Sequence, residues 1–171
     1  MSAGTATDRT WRLGAALMTT VLSGALLTGC MGAMPIPRSA LNRQLEQAGG
    51  NRDPSLGERW LALIQQRGGR EQVQLLDLQR QLPVPLPGLN RPDALPISVS
   101  TDANGDRMAL VRQLGGRSEV VLYRRSLQSL QPIAMAPDSI PTLVNLRADG
   151  RQLAVQVSRN GLWQIDLVDL P

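Results

Sequence analysis

The sequence predicts an all-β fold built from three copies of one antiparallel unit. Three 18-residue segments align without a gap and begin at Leu61, Met108 and Leu153, at spacings of 47 and 45 residues. Each copy has Ala in its second column, Gly in its ninth, and a β-branched residue followed two positions later by Leu. Self-similarity at a fixed period is typical of repeat architectures. Each copy therefore predicts one small sheet, or blade, of the same design.

Each copy is predicted to form a β-hairpin around a two-residue turn. The turn dipeptides are Gly68-Gly69, Gly115-Gly116 and Asn160-Gly161. These residues tolerate positive φ at both central positions of a tight hairpin turn. An apolar strand precedes each turn, and a strand with period-two alternation follows it. The pattern assigns Gly69, Gly116 and Gly161 as the turn glycines.

Further strands are predicted on both sides of the hairpins. Segments 95–100 and 142–146 precede the second and third hairpins, and a shortened strand at 54–57 precedes the first. Segments 82–86 and 132–135 are predicted to be outer fourth strands, because proline is tolerated at a sheet edge. The third copy ends at Pro171 with no outer strand. Up to four strands in about 45 residues is the size of a β-propeller blade, which predicts a three-blade domain over residues 53–171.

The N-terminal segment has the features of an export signal. Arg9 and Arg12 form a positive region, and Leu13 to Leu27 form an apolar run of 15 residues. That run is shorter than the ~20 residues that a membrane-spanning helix needs. The sequence therefore predicts a removable signal peptide over residues 1–29.

The apolar run ends in Leu27-Thr28-Gly29-Cys30. This tetrapeptide resembles the lipobox of bacterial lipoproteins: a branched apolar residue, two small residues and Cys. The resemblance implies that Cys30 is lipidated and becomes the first mature residue, and several acyl chains would give stable anchoring. By the sorting rule of two-membrane bacteria, Met31 in place of Asp favours the periplasmic face of the outer membrane over the inner membrane.

Residues 30–52 are predicted to be a lipidated, flexible tether that holds the domain off the membrane. Pro35 and Pro37 forbid a continuous helix there. Ser39 is predicted to cap one short helix with Leu41 and Leu45 on one face, ended by Gly49-Gly50.

The repeats resemble the TolB-like β-propeller family of the bacterial envelope. The residues that carry the resemblance are Ala148-Asp149-Gly150-Arg151-Gln152-Leu153-Ala154 and Trp163-Gln164-Ile165-Asp166-Leu167-Val168-Asp169-Leu170. The segment 86–93 also resembles an inter-blade linker of short lipobox-bearing members. The resemblance spans residues 54–170 and implies a WD40-like blade rather than an activity. The sequence departs from the family at Arg124-Arg125, where Asp-Leu is expected, and has three blades where full members have six.

The residue inventory excludes several kinds of catalysis. The chain has no His and a single Cys, so Ser–His and Cys–His nucleophilic schemes and an intramolecular disulfide are excluded. Paired carboxylates remain available for hydrolysis, either Asp166 with Asp169 or Asp77 with Glu71. Asp77 and Asp169 occupy the same repeat column, which favours a structural role at the strand end.

Two other ligand classes are considered and set aside. Asp102, Asn104 and Asp106 have the oxygen spacing of the start of a calcium loop, but no acidic residue closes the site, and turns favour these residue types anyway. The mature chain has 16 Arg and 13 acidic residues, and the arginines are dispersed, so nucleic-acid binding is not predicted. The pair Arg124-Arg125 could contact an anion, although pairing with Glu119 or simple solvation is the commoner outcome.

The sequence thus predicts a non-enzymatic, lipid-anchored interaction module without a metal or cofactor other than the lipid on Cys30. The TolB resemblance implies envelope partners, among them proteins of a Tol–Pal-like system. The alternatives are a degenerate propeller hydrolase or lyase, and an Arg-mediated binder of anionic envelope polymers. Because a three-blade array exposes sheet faces and an open edge, association is predicted as well, either with an envelope protein or as a homodimer that closes a six-blade ring.

Overall fold

The three hairpins of the repeat form the centres of three antiparallel sheets. The computed structural model describes residues 34–171, so the predicted signal peptide, lipobox and Cys30 lie outside the described residues. Residues 34–38 have no regular secondary structure. Within the described residues, no helix is long and apolar enough to cross a membrane.

One helix precedes eleven strands. The elements are α1 (Ser39–Gln47), β1 (Asn51–Leu56), β2 (Trp60–Arg67), β3 (Arg70–Asp77), β4 (Leu82–Val84), β5 (Ala94–Thr101), β6 (Arg107–Leu114), β7 (Arg117–Arg124), β8 (Ser129–Ile133), β9 (Ile140–Leu146), β10 (Gln152–Arg159) and β11 (Leu162–Asp169).

The strands form three blades in chain order. Blade 1 is β1-β2-β3-β4, blade 2 is β5-β6-β7-β8, and blade 3 is β9-β10-β11. The three-strand third blade confirms the prediction that the last copy has no outer strand. The hairpin register is the same in all three, as in the Arg67↔Arg70, Leu114↔Arg117 and Arg159↔Leu162 pairs that close each turn. Tight turns with positive φ thus fix the pairing of the central strands.

The blades stack through two apolar cores. The core between blades 1 and 2 includes Ile64, Leu75, Leu110 and Tyr123. The core between blades 2 and 3 includes Val111, Val120, Leu146, Val155 and Val157. Because strand side chains alternate between faces, blade 2 supplies one face to each core. This arrangement explains why the repeat has apolar residues on both faces.

The predicted tether, residues 30–52, overlaps the folded unit that spans Arg38–Pro171. The predicted short helix is present as α1, but Arg38 is its N-cap residue and makes no side-chain cap hydrogen bond, so Ser39 is not the cap. Strand β1 starts at Asn51, inside the predicted tether and three residues before the predicted strand. A bulge in β1 between Arg52 and Ser55, with φ of 53° at Asp53, explains why alternation did not reveal the earlier start.

Helix α1 packs on the face of blade 1 that points away from blade 2. Gln44, Leu45 and Ala48 line a recess together with Gln65 and Leu76 of that face. The Nε2 of Gln44 donates to the backbone oxygen of Gln81 at 3.2 Å. In the same sheet face, Leu63 and Leu76 are 2% and 7% exposed. The expectation that both outer faces of the array are uncovered is therefore wrong for blade 1.

Candidate functional site

The outward face of blade 3 is an uncovered apolar sheet. Its side chains follow from the β10–β11 register, in which Ala154 pairs with Leu167, Gln156 with Ile165 and Ser158 with Trp163. On β9, Leu143 lies opposite Gln156 and Asn145 opposite Ala154. We call this surface the open face; its members are Ile140, Leu143, Asn145, Ala154, Gln156, Ser158, Trp163, Ile165 and Leu167.

The repeat shows what this face is built to contact. The column of Leu75 and Leu122 is 0% and 1% exposed in blades 1 and 2, because the next blade covers it. Leu167, in the same column of blade 3, is 69% exposed. The same leucine position of the repeat is therefore buried in blades 1 and 2 but exposed in blade 3.

The apolar surface extends across all three strands of blade 3. Trp163 and Ile165 of β11 are 65% and 63% exposed, and Ile140 and Leu143 of β9 are 57% and 45% exposed. Contiguous apolar surface of this kind marks an interaction site on a folded protein. Sequence reasoning named Trp163 and Leu167 but missed Ile140 and Leu143, which only the pairing of β9 with β10 adds to the face.

The inner strands carry a ladder of hydrogen bonds that links each blade to the next. The Ser55 hydroxyl accepts the Thr101 N–H at 3.0 Å, and one repeat later the Ser100 hydroxyl accepts the Leu146 N–H at 2.8 Å. In the neighbouring row, the Ser98 hydroxyl accepts the Val144 N–H at 3.3 Å. The recurrence of Ser55 and Ser100 at the repeat spacing was the sequence signal for this ladder, and it was missed.

The ladder has different ends in the first and last blades. In blade 3, Asn145 occupies the column of Ser55 and Ser100, and no inner strand of a further blade lies beyond it among the described residues. In blade 1, Pro54 occupies the column of Val144 and has no N–H to donate. The ladder can thus be extended beyond blade 3 but not fully extended before blade 1.

A groove of about 700 Å³ runs along the inner strands of the three blades. Its lining includes Ser55, Glu58, Thr101 and Asn145 together with backbone of β1, β5 and β9. Within the residues that the structure describes, no three His, Cys, Asp or Glu side chains converge on a metal position. The groove presents hydroxyl and amide groups together with the carboxylates of Asp53 and Glu58, and the Asp53 carboxylate accepts the Val99 N–H.

The carboxylate pairs considered for catalysis do not converge. Asp166 pairs with Arg159 and lies, by strand alternation, on the opposite face from Asp169. Asp77 and Glu71 lie towards opposite ends of β3, where they bind Arg59 and Arg52 respectively. Neither pair forms a shared site.

Asp77 and Asp169 differ although they share a repeat column. The buried Asp77 carboxylate binds Arg59 and accepts the backbone N–H groups of Gln79 and Arg80 in the turn before β4. The Arg59 hydrogen bond, followed by those turn amides, lowers the pKa of Asp77 below its ordinary value. Asp169 is exposed and accepts one hydrogen bond from Gln152 at 3.0 Å. The structural role predicted for this repeat position is thus seen in blade 1, where Asp77 holds the turn before β4.

The residues considered for calcium serve the turn instead. The Asp102 carboxylate accepts the Asp106 N–H at 2.9 Å, and Asp106 accepts hydrogen bonds from the backbone and hydroxyl of Ser126. Asp102 is buried, and this burial is the main reason that its pKa is raised above the ordinary value. Both carboxylates are thus engaged within the turn, and no three acidic, His or Cys side chains of the described residues converge there.

The arginine pair does not form an anion site with two free cations. Arg125 donates to the Gly105 carbonyl at 2.8 Å and stacks over Trp60 at 4.7 Å from the ring centre. Arg124 donates to the Pro171 carbonyl. Glu119, which was one of the two alternatives considered for this arginine pair beside simple solvation, instead binds Arg112 at 2.7 Å.

The turn glycines lie in the tight hairpin turns. Gly69, Gly116 and Gly161 have φ of 77°, 78° and 78°. A Cβ built on any of them meets nothing within 4 Å. These glycines are therefore required by backbone conformation and not by close packing, and they contribute nothing to the open face.

Comparison with solved structures relates the fold to TolB proteins. No family model and no curated protein matches the chain. TolB from Acinetobacter baumannii superimposes with a TM-score of 0.54 at 16% identity over 68% of this chain and 29% of that protein. A protein from Agrobacterium tumefaciens assigned as TolB gives 0.61 at 8% identity over 74% of this chain and 48% of that protein.

A third solved structure has a length closer to that of this chain. A protein from Clostridium novyi assigned as a conserved lipoprotein gives a TM-score of 0.50 at 10% identity, over 72% of this chain and 88% of that one. The chain spans less than half the length of the two TolB structures. At these identities the comparison establishes the fold: three blades of the TolB-like β-propeller type, as the sequence predicted.

Proposed function

We propose that this protein is a non-enzymatic, lipid-anchored interaction module of the bacterial envelope that binds a protein partner through the open face. The observation that carries the proposal is the contrast between Leu75 and Leu122, both buried beneath a following blade, and Leu167, which has the same column and no cover. A surface built for sheet-on-sheet packing suits another protein better than a small molecule.

The lack of a converging acid–base pair among the described residues supports binding over hydrolysis. Asp77, Glu71 and Asp166 each bind an arginine, and Asp169 lies on a different face from Asp166. The dispersed ion pairs also disfavour an Arg-mediated binder of anionic polymers, because Arg125 is already engaged by Gly105 and Trp60.

Anchoring through Cys30 and placement at the periplasmic face of the outer membrane rest on the lipobox residues Leu27-Thr28-Gly29 and on Met31. The TolB-like fold and the lipoprotein from Clostridium novyi support an envelope role. Partners from a Tol–Pal-like system are the candidates that the TolB resemblance suggests.

The binding proposal is tested by placing a photo-cross-linking amino acid at Ile165 in the full chain, expressed in the envelope of its host. We expect a discrete cross-linked band from position 165, and none from Leu127, which is similarly exposed at 64% but lies in a turn of blade 2. Equal cross-linking at both positions, or none at either, would contradict docking on the open face.

The anchoring proposal is tested with Cys30→Ala. We expect wild-type protein to carry acyl chains on its mature N-terminus by mass spectrometry, and the variant to keep its signal peptide and lose acyl labelling. Cleaved but unacylated wild-type protein would overturn the lipid anchor without affecting the docking proposal.

A further inference from the structure

We propose that the partner docked on the open face is a second copy of this chain, packed blade 3 against blade 3 across a two-fold axis. The inference rests on the proposed function of the open face as a protein-docking surface. It differs from a six-blade ring, in which blade 3 of each copy would pack on blade 1 of the other.

The structure opposes ring closure at blade 1. Its outward face is already covered by α1, and Leu63 and Leu76 beneath it are 2% and 7% exposed. In addition, Pro54 removes one of the N–H donors that the inner-strand ladder would need from blade 1. A ring would require α1 to leave and would still lack that hydrogen bond.

Because each chain has a single uncovered sheet face, self-association is expected to be two-fold symmetric. If each copy offers only blade 3, self-association joins identical surfaces, so residue i contacts residue j and j contacts i. Such an isologous contact closes at two copies, whereas a head-to-tail contact would need a second free face. A dimer covers the open face of both chains and leaves no sheet face uncovered at either end.

The chemistry of the open face is compatible with its own copy. None of the nine residues of the open face is ionisable; Asp169 lies on the same side of the sheet beyond Leu167, where it pairs with Gln152 and accepts its hydrogen bond. Two such faces bring together Trp163, Ile165 and Leu167 with no like charges at the centre. A strongly charged partner would gain no complementary contact there.

The size of the face suits a modest dimer. Three strands of about eight residues cover roughly 14 Å by 26 Å at ordinary strand spacing and rise. This flat footprint of roughly 360 Å² is smaller than the ~600–800 Å² that each partner contributes in stable specific interfaces, so the dimer is expected to be weak in dilute solution. Confinement of lipid-anchored chains to one membrane surface would raise their effective concentration and favour pairing.

The position of Gln156 provides a direct test. It lies in the middle of β10, the central strand of the blade, between Ile165 and Leu143 on the open face. Two copies stacked across a two-fold axis bring their Gln156 positions close together. In the full chain in native membranes, we expect Gln156→Cys to form a covalent dimer with a short bis-maleimide. Gln113→Cys, exposed at the end of β6, is the matched control and should stay monomeric.

A second substitution separates specific pairing from chance collision. Adding Leu167→Arg to Gln156→Cys is expected to lower dimer yield at least tenfold, because it buries a charge in the interface. Adding Leu127→Arg should leave the yield unchanged. Both positions are exposed in the single chain, so neither substitution removes a core contact.

The outcomes distinguish this inference from the proposed function. A Gln156→Cys dimer that Leu167→Arg abolishes supports pairing of two copies. If position 165 cross-links only to a different protein, the second-copy inference is overturned and the docking function stands. If neither position cross-links to any protein, both are overturned. Dimers from Gln113→Cys at the yield of Gln156→Cys would also overturn the inference.

Discussion

Blades 1 and 3 are the two ends of one repeat array, and only blade 1 is covered on its outward face. In blade 1 that face buries Leu63 and Leu76 beneath α1. In blade 3 the outward face leaves Trp163 and Leu167 about two-thirds exposed, at 65% and 69%. Repeat proteins need capping at their ends to remain soluble. This chain supplies one cap itself, so the bare end is the surface on which an interaction can be sought.

The comparison also separates two kinds of sequence information. The hairpin turns are alike in both end blades because they depend on local backbone conformation, with φ of 77° at Gly69 and 78° at Gly161. The faces differ because burial depends on what lies beyond the sheet. A repeated residue therefore has the same conformational role in every hairpin turn, but its burial on a sheet face differs from blade to blade.

The largest expected effect on the free energy of unfolding concerns the repeat position of Leu75 and Leu167, which is buried in blade 1 and exposed in blade 3. Leu75→Ala should lower the free energy of unfolding by about 2–5 kcal/mol, because it leaves a cavity in the core between blades 1 and 2. Leu167→Ala should change it by about 0.5 kcal/mol or less, as expected for an exposed site. Urea unfolding of dilute protein measures both. Equal losses would mean that Leu167 is covered within the single chain.

Substitutions of the turn glycines should have an intermediate effect on stability, and this effect should be the same in blade 1 and in blade 3. Gly69→Val and Gly161→Val should each lower the free energy of unfolding by about 1–3 kcal/mol, since a β-branched residue is strained at positive φ. Both Cβ positions are free of close contacts, so the cost is conformational. Thermal unfolding of the two variants should give similar shifts, while Arg70→Ala, beside the first turn, serves as a control with little effect. A large difference between the two glycines would contradict a purely local role.

The smallest effect concerns acid stability and is expected at Asp77 of blade 1. Because Arg59 lowers the pKa of Asp77 in the folded state, the unfolded chain binds its proton first as the pH falls. The stabilisation is therefore present above the ordinary Asp pKa and is lost as the pH falls from about 5 towards 2.

The variant that tests this effect is Asp77→Asn. Asp77→Asn should reduce the dependence of the unfolding midpoint on pH in that window, because the Arg59 ion pair is gone while an oxygen remains for the turn amides. An unchanged pH dependence in Asp77→Asn would show that other carboxylates, such as Glu71 or Asp93, control acid unfolding.

Most of the strand pattern of each blade could be predicted from the sequence, whereas the environment of the outward faces of blades 1 and 3 could not. The gapless repeat predicted the six hairpin strands, and the last blade has three strands, as predicted. Outer strands were less accurate: β8 starts at Ser129, three residues before the predicted 132–135 segment. A short edge strand has one neighbour, so alternation and pairing constrain it weakly.

The sequence by itself determined the properties that repeat with the chain: hairpin turns, alternating strands, blade number and a column of apolar residues meant for sheet packing. Tertiary structure decided which of those columns are buried. Whether Leu167 contacts a neighbour depends on a blade that this chain does not contain, and whether Leu63 is covered depends on α1 packing on blade 1. Local backbone preferences act within a few residues, but burial is set by whatever element lies across the sheet face.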